Sequence, residues 1–234
     1  MLADAPLRRG HIDVRSLRLL PLLGSLRNLT DTTLWLLDRP CADLDHLRGV
    51  PHLSFLYQVC TGEIDLTPLS EHSALRNIYL GEASGYRNLA LLERLPDLFA
   101  LSLSGSVELD ALPAMQKLEY LDISIPRGGA DLALLPRLPA LRALCVQSAT
   151  PEVIDDIGAH LPDLVNLELE GAAAQNLRAA SRLKRLRVLT LYAEDSGPLD
   201  LRPLQQMNLE VRLSRQDEYV GLDELGPGVK VSYY

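Results

Sequence analysis

The sequence predicts an elongated α/β solenoid. A parallel β-sheet should line its concave face, with short helices or 3-10 turns on the convex face. Three observations carry this. An apolar phrase with spacing three then two recurs along nearly the whole 234-residue chain, at 75–80, 98–103, 118–123, 141–146, 164–169 and 186–191. Its central residue marks a register: Ile12, Leu34, Leu56, Ile78, Leu101, Leu121, Leu144, Leu167, Leu189 and Val211, at spacings of 20 to 23 residues. A fixed period of this length is the signature of a repeat architecture, in which each unit buries its apolar face only against its neighbours.

Each element follows from local pattern. Two residues after every mark comes a second apolar residue, Gln58 excepted. Alternation with period two gives a short strand with one buried face. About ten residues after most marks comes another apolar residue: Leu44, Leu66, Leu89, Leu132, Ile154, Leu177 and Leu199. Leucines then recur every third residue, which suits a 3-10 turn or a short helix. Asp43, Asp65 and Asp131 precede such runs and are placed to cap them. Pro51, Pro96, Pro139 and Pro162 lie five residues before a mark and end the helical side.

This strand-plus-turn unit resembles the leucine-rich repeat. Asp65-Leu66-Thr67-Pro68-Leu69 is similar to the short repeats of internalins and of phosphatase-regulatory leucine-rich proteins. The resemblance covers residues 9–214, about ten repeats, with 215–234 adding a capping strand at Val229 and Val231. It implies one leucine-rich-repeat domain over 1–234; because such folds serve many partners, function has to be read from the exposed surface rather than from the fold. The family usually places Asn five residues after the mark, where it bonds backbone along a ladder. Here those positions hold Thr61, Ala83, Ser106, Pro126, Ala149 and Ala172. Water or local backbone must then satisfy the turn.

Composition narrows the function. A net charge of −8 argues against a general attraction to nucleic acid or an anionic membrane. Three cysteines without metal-type spacing fit a reducing compartment rather than a disulfide scaffold. The first residues lack a signal-peptide core, and no apolar run reaches membrane-spanning length; a cytoplasmic protein is the expectation. The eleven residues before Ile12 are too few for a substantial capping helix. The N-terminal edge is therefore expected to be covered by another domain, another chain or a self-contact.

Few residues suggest chemistry. The five histidines have no ligand spacing and read as surface or turn residues. No phosphate-binding glycine loop, dinucleotide fingerprint or nucleophile elbow is present. No cofactor or metal is expected. Cys41-Ala42-Asp43 looks like the Cys-x-Asp of leucine-rich bacterial ubiquitin ligases, but that motif belongs to a helical domain for which this chain has no room. Arg178, Arg182, Lys184, Arg185 and Arg187 read as the wet face of a turn whose buried side is Leu177, Leu183 and Leu186. A phosphate- or nucleic-acid-binding patch at 178–187 is the alternative; it lacks interleaved aromatics.

The concave face is the informative one. Its central row reads Asp13, Trp35, Tyr57, Tyr79, Ser102, Asp122, Cys145, Glu168, Thr190 and Arg212, with Phe55, Val59, Leu37 and Tyr120 beside it. Trp35, Phe55, Tyr57 and Tyr79 should form an exposed aromatic patch. Tyr120, Asp122, Glu168 and Glu170 complete the predicted protein-binding set. The expectation is a non-enzymatic interaction module, the recognition part of a larger system. An enzymatic leucine-rich-repeat effector would have to use Asp122, Glu168 and Cys145, which lack a histidine partner.

Overall fold

The computed structural model describes residues 10–26, 29–124, 138–147, 153–170, 177–192, 197–215 and 218–234. The positions of Asp131, Leu132, Pro126, Ala149 and Ala172 lie outside these. The chain forms two compact units, Met1–Leu118 with Pro136–Pro139, and Glu119–Leu135 with Ala140–Tyr234.

The first unit holds β1 (Gly10–Val14), β2 (Leu29–Cys41), β3 (Leu53–Cys60), β5 (Asn77–Gly81) and β7 (Ala100–Ser106), joined in that order as parallel neighbours. The register marks align: Leu34 opposite Leu56, Leu56 opposite Ile78, Ile78 opposite Leu101. Two shorter strands, β4 (Glu63–Asp65) and β6 (Gly85–Arg87), pair beside them. The second unit repeats the scheme with β8 (Tyr120–Ser124), β9 (Ala143–Gln147), β10 (Asn166–Glu170), β11 (Val188–Tyr192), β13 (Leu209–Leu213) and β15 (Val229–Tyr233). Leu121, Leu144, Leu167, Leu189, Val211 and Val231 stand side by side. The small strands β12 (Leu199–Asp200) and β14 (Tyr219–Val220) pair apart from these. In both units the fold is a leucine-rich-repeat stack of parallel strands.

From Leu34 onward the marks are almost wholly buried, as are Leu36, Leu80, Leu103, Ile123, Val146, Leu169, Leu191 and Leu213 two residues on. Alternation has put one strand face in a leucine core and left the other open. Among the described residues, the return side of the repeats is mostly 3-10, as in Asp45–Leu47, Thr67–Glu71, Leu89–Arg94, Arg178–Arg182 and Arg202–Leu204, and the α-helices are Leu20–Leu23 and Val153–His160. Asp65 Oδ1 accepts from the Thr67 amide at 2.8 Å and its hydroxyl at 2.6 Å, and Asp43 Oδ1 from the Asp45 amide at 3.1 Å. Each aspartate thus holds the start of its turn two residues on.

Ile12 is not the first mark. Val14 pairs with Leu34, and Ile12 with Thr32. Both choices keep the same parity, so no side chain changes face. Val14 is buried and Ile12 half-buried. Asp13 accordingly lies opposite Thr33 rather than Trp35, with its carboxylate 2.8 Å from His11 Nε2.

The missing asparagine ladder is replaced by neighbouring backbone. Thr61 donates its amide to the Cys41 carbonyl and Ser84 to that of Gly62, both at 2.8 Å. Tyr86, buried, adds its hydroxyl between the carbonyls of Leu80 at 2.9 Å and Ser104 at 2.7 Å. At Gly105, φ is +118° and an added Cβ would lie 1.9 Å from the Ala83 carbonyl oxygen, so the chain passes there only without a side chain.

On the return side, ion pairs join consecutive turns. Arg48 meets Glu71, Arg87 meets Glu63 at 3.0 Å, Lys117 meets Asp97 at 2.5 Å, Arg182 meets Asp155 at 3.1 Å and Arg185 meets Asp163 at 3.3 Å.

Candidate functional site

On the open strand face of the first unit, register places Trp35, Tyr57 and Tyr79 in one row across β2, β3 and β5. Trp35 and Tyr57 stack at 5.6 Å between centroids, and Tyr57 and Tyr79 at 6.2 Å, each pair 20° from parallel. Phe55, two residues before Tyr57, tilts against Trp35 at 4.5 Å and against Tyr79 at 5.5 Å. Parallel strands lie about 4.8 Å apart, so rings at one height have no room to stand clear of each other. All four are half-buried, whereas the expectation was an exposed patch. The rings lie against one another in the stack, and Leu37, two residues after Trp35, is 58% exposed.

Gln58, the one polar residue at an inward strand position after a mark, is fully buried. Its Nε2 donates to the Val59 carbonyl at 2.9 Å, and its Oε1 accepts from His46 Nε2 at 3.2 Å. Burial pushes the His46 imidazole below its ordinary pKa, and Gln58 and nearby aspartates oppose the shift. His72 is in a turn, as expected, but buried, and burial lowers its pKa too, against a hydrogen bond to the Leu47 backbone.

The second unit carries the acidic positions. Asp122, Cys145 and Glu168 follow one another across β8, β9 and β10. Cys145, Glu168 and Glu170 bring one ligand-type atom each within 4.8 Å of the others. Gln147 donates to Asp122 at 3.1 Å, and Ser124 donates to Gln147 at 2.9 Å. Burial pushes the Glu168 carboxyl up, against the Tyr192 hydroxyl that bonds to it, and Asp122 adds to the rise. The Cys145 thiol is pushed far up, by burial first and then by the charges of Asp122 and Glu168. It is therefore protonated at neutral pH and a poor nucleophile. A cation held by these groups would have to displace that proton. Tyr120 sits one residue before the mark of β8, half-buried. Gln147 and Tyr192 were missed; carrying the register three residues past each mark finds both.

The basic cluster lies as predicted. Arg178, Arg182, Lys184, Arg185 and Arg187 are exposed, and Leu177, Leu183 and Leu186 buried. Arg182 and Arg185 are paired with the aspartates named above, and Lys184 donates to the Ser181 carbonyl at 2.8 Å. Local partners thus take up part of the charge that an anion would need. Among the described residues, no helix is long and apolar enough to cross a membrane.

No protein-family model and no curated protein matches the sequence. Among solved structures, the chain is similar to an internalin, InlF, from Listeria monocytogenes strain 4b F2365, at 16% identity. The likeness covers 90% of this chain and 75% of that one, with a TM-score of 0.41. A likeness of that size adds no weight to what the strand register already defines. The architecture is that of a leucine-rich-repeat protein.

Proposed function

We propose that this chain is a non-enzymatic protein-interaction module whose partner docks over Trp35, Phe55, Tyr57 and Tyr79. The observation that carries the proposal is the stack of four rings on the open face of register-locked strands. Rings already ordered by mutual contact lose little freedom when a partner covers them, and Trp and Tyr dominate binding hot spots. In the second unit, taken by itself, Asp122, Glu168 and Glu170 disfavour acidic partners, acting mainly on association rate, and Tyr120 offers a contact surface beside them.

The test uses the intact chain as bait in an extract of its native source, beside Trp35→Ala, Tyr57→Ala and the stack-preserving Tyr57→Phe. The captured partner is then titrated. Trp35 is the only tryptophan, so its fluorescence reports directly on the site. Each alanine variant should weaken binding about tenfold or more, the scale of a hot-spot residue. Tyr57→Phe should retain most of the affinity. A partner that binds both alanine variants within about twofold of wild type, and that leaves the Trp35 emission of the wild-type chain unchanged, would show that docking occurs elsewhere.

A further inference from the structure

We propose that Cys41 and Cys60 form a disulfide-exchange site, oxidised by a small disulfide of the glutathione class, which staples the end of β2 to β3. The two cysteines are direct register partners on neighbouring parallel strands. The Thr61 amide donates to the Cys41 carbonyl at 2.8 Å, which fixes the two strands at the same height there. Residues paired in this way stand about 4.8 Å apart. That lies inside the Cα separation of roughly 4.4–6.8 Å that a disulfide spans. No S–S bond joins them in the structure.

The pairing is irregular just before Cys41. Leu36 pairs with Gln58 and Cys41 with Cys60, so residues 37–40 stand opposite Val59 alone. The ladder is interrupted over this irregularity and the strand can bend there, while Leu36 and Cys41 keep their partners on either side. The irregularity also begins at Leu37, two residues after Trp35, so the staple would fix one border of the ring stack.

Accessibility sets the order of events. Cys41 is half-buried and Cys60 fully buried. The Cys41 thiolate attacks one sulfur of glutathione disulfide. The S–S bond of glutathione breaks, a mixed disulfide forms at Cys41, and one glutathione leaves as thiolate. Cys60, deprotonated, then attacks the Cys41 sulfur and expels the second glutathione. The two thiol protons pass to the two departing thiolates through solvent. Burial, and after it the neighbouring Cys41, pushes the Cys60 thiol up to about 12. The second step is therefore slow and accelerates as pH rises. Cys145, buried in the other unit, is an internal control. None of this depends on which partner the rings bind.

The experiment incubates the full folded chain with glutathione disulfide at mildly alkaline pH, quenches in acid and maps peptides by mass. A Cys41–Cys60 cross-linked peptide, lighter by two hydrogens, should appear and vanish with dithiothreitol, while Cys145 stays a thiol. Cys60→Ser should stop at a glutathione adduct on Cys41. The oxidised chain should melt about 5–10 °C higher, as expected for closing a loop of this length. A wild-type chain that keeps the adduct at Cys41, reacts at neither thiol, links two chains, or forms the bond only after unfolding overturns the proposal.

Discussion

Tyr86→Phe tests how this chain manages without an asparagine ladder. The substitution keeps the ring and removes one oxygen. That oxygen lies 2.9 Å from the Leu80 carbonyl and 2.7 Å from that of Ser104, and the residue is 7% exposed. Water has little access to replace the lost donor. A hydroxyl has a single proton, so the two carbonyls share one bond's worth of donation. Leaving a buried carbonyl without its donor costs about 1–3 kcal/mol. Because ring packing is unchanged, no cavity term is added. About 2 kcal/mol would lower the thermal midpoint by roughly 4–8 °C for a chain of this size. Urea unfolding monitored by circular dichroism would give the same loss with an unchanged denaturant slope. A variant within about 0.5 kcal/mol of wild type would refute the idea that Tyr86 stands in for the missing side-chain ladder.

Gly105→Ala should lower the midpoint by about 6 °C or more, because the new methyl meets the Ala83 carbonyl at a backbone angle only glycine tolerates; a melting curve matching wild type would mean that this crossing yields easily. Stability should also fall with acid in two stages, read by urea midpoints across pH. His46 and His72 have folded pKa values below the unfolded value, so their contribution is present above it and lost as pH drops below about 6.5. Asp65, held down to about 2 by Thr67 and then Asn88, contributes above its unfolded value and loses that contribution as pH falls from about 4 through 2. The double variant His46→Gln, His72→Gln should remove the first stage and keep the second.

Strand placement was legible because a leucine at the wrong parity would face water, and nine of the ten marks fall at the paired core positions. Ile12 was set two residues off because β1 pairs only with β2 among the described residues, and Val14 satisfies the same alternation. The grouping of Trp35, Phe55, Tyr57 and Tyr79 was readable from register alone. Their half-burial was not, since it depends on how wide rings share a narrow strand spacing. The Cys41–Cys60 pairing was hidden by the bulge, which sets the seventh residue after one mark beside the fourth after the next. The His46 contact was hidden because it comes from the return side to satisfy Gln58, which looked only like a break in the pattern.

The ion pairs along the return side bear on how such a chain can be edited. Excising one whole repeat, from one mark to the next, would leave every remaining leucine in phase. The charges do not share that interchangeability. Arg48 is matched to Glu71, Arg182 to Asp155 and Arg185 to Asp163, each partner lying on an adjoining turn. Deleting or transposing one repeat preserves the core yet brings together turns whose charges were never matched. Exposed pairs are individually weak, so the mismatch would barely alter melting. Its effect would fall instead on choice of neighbour, by disfavouring slipped registers in which the leucines fit equally well. The periodic core specifies that repeats stack, and the aperiodic charges specify which repeat stacks on which.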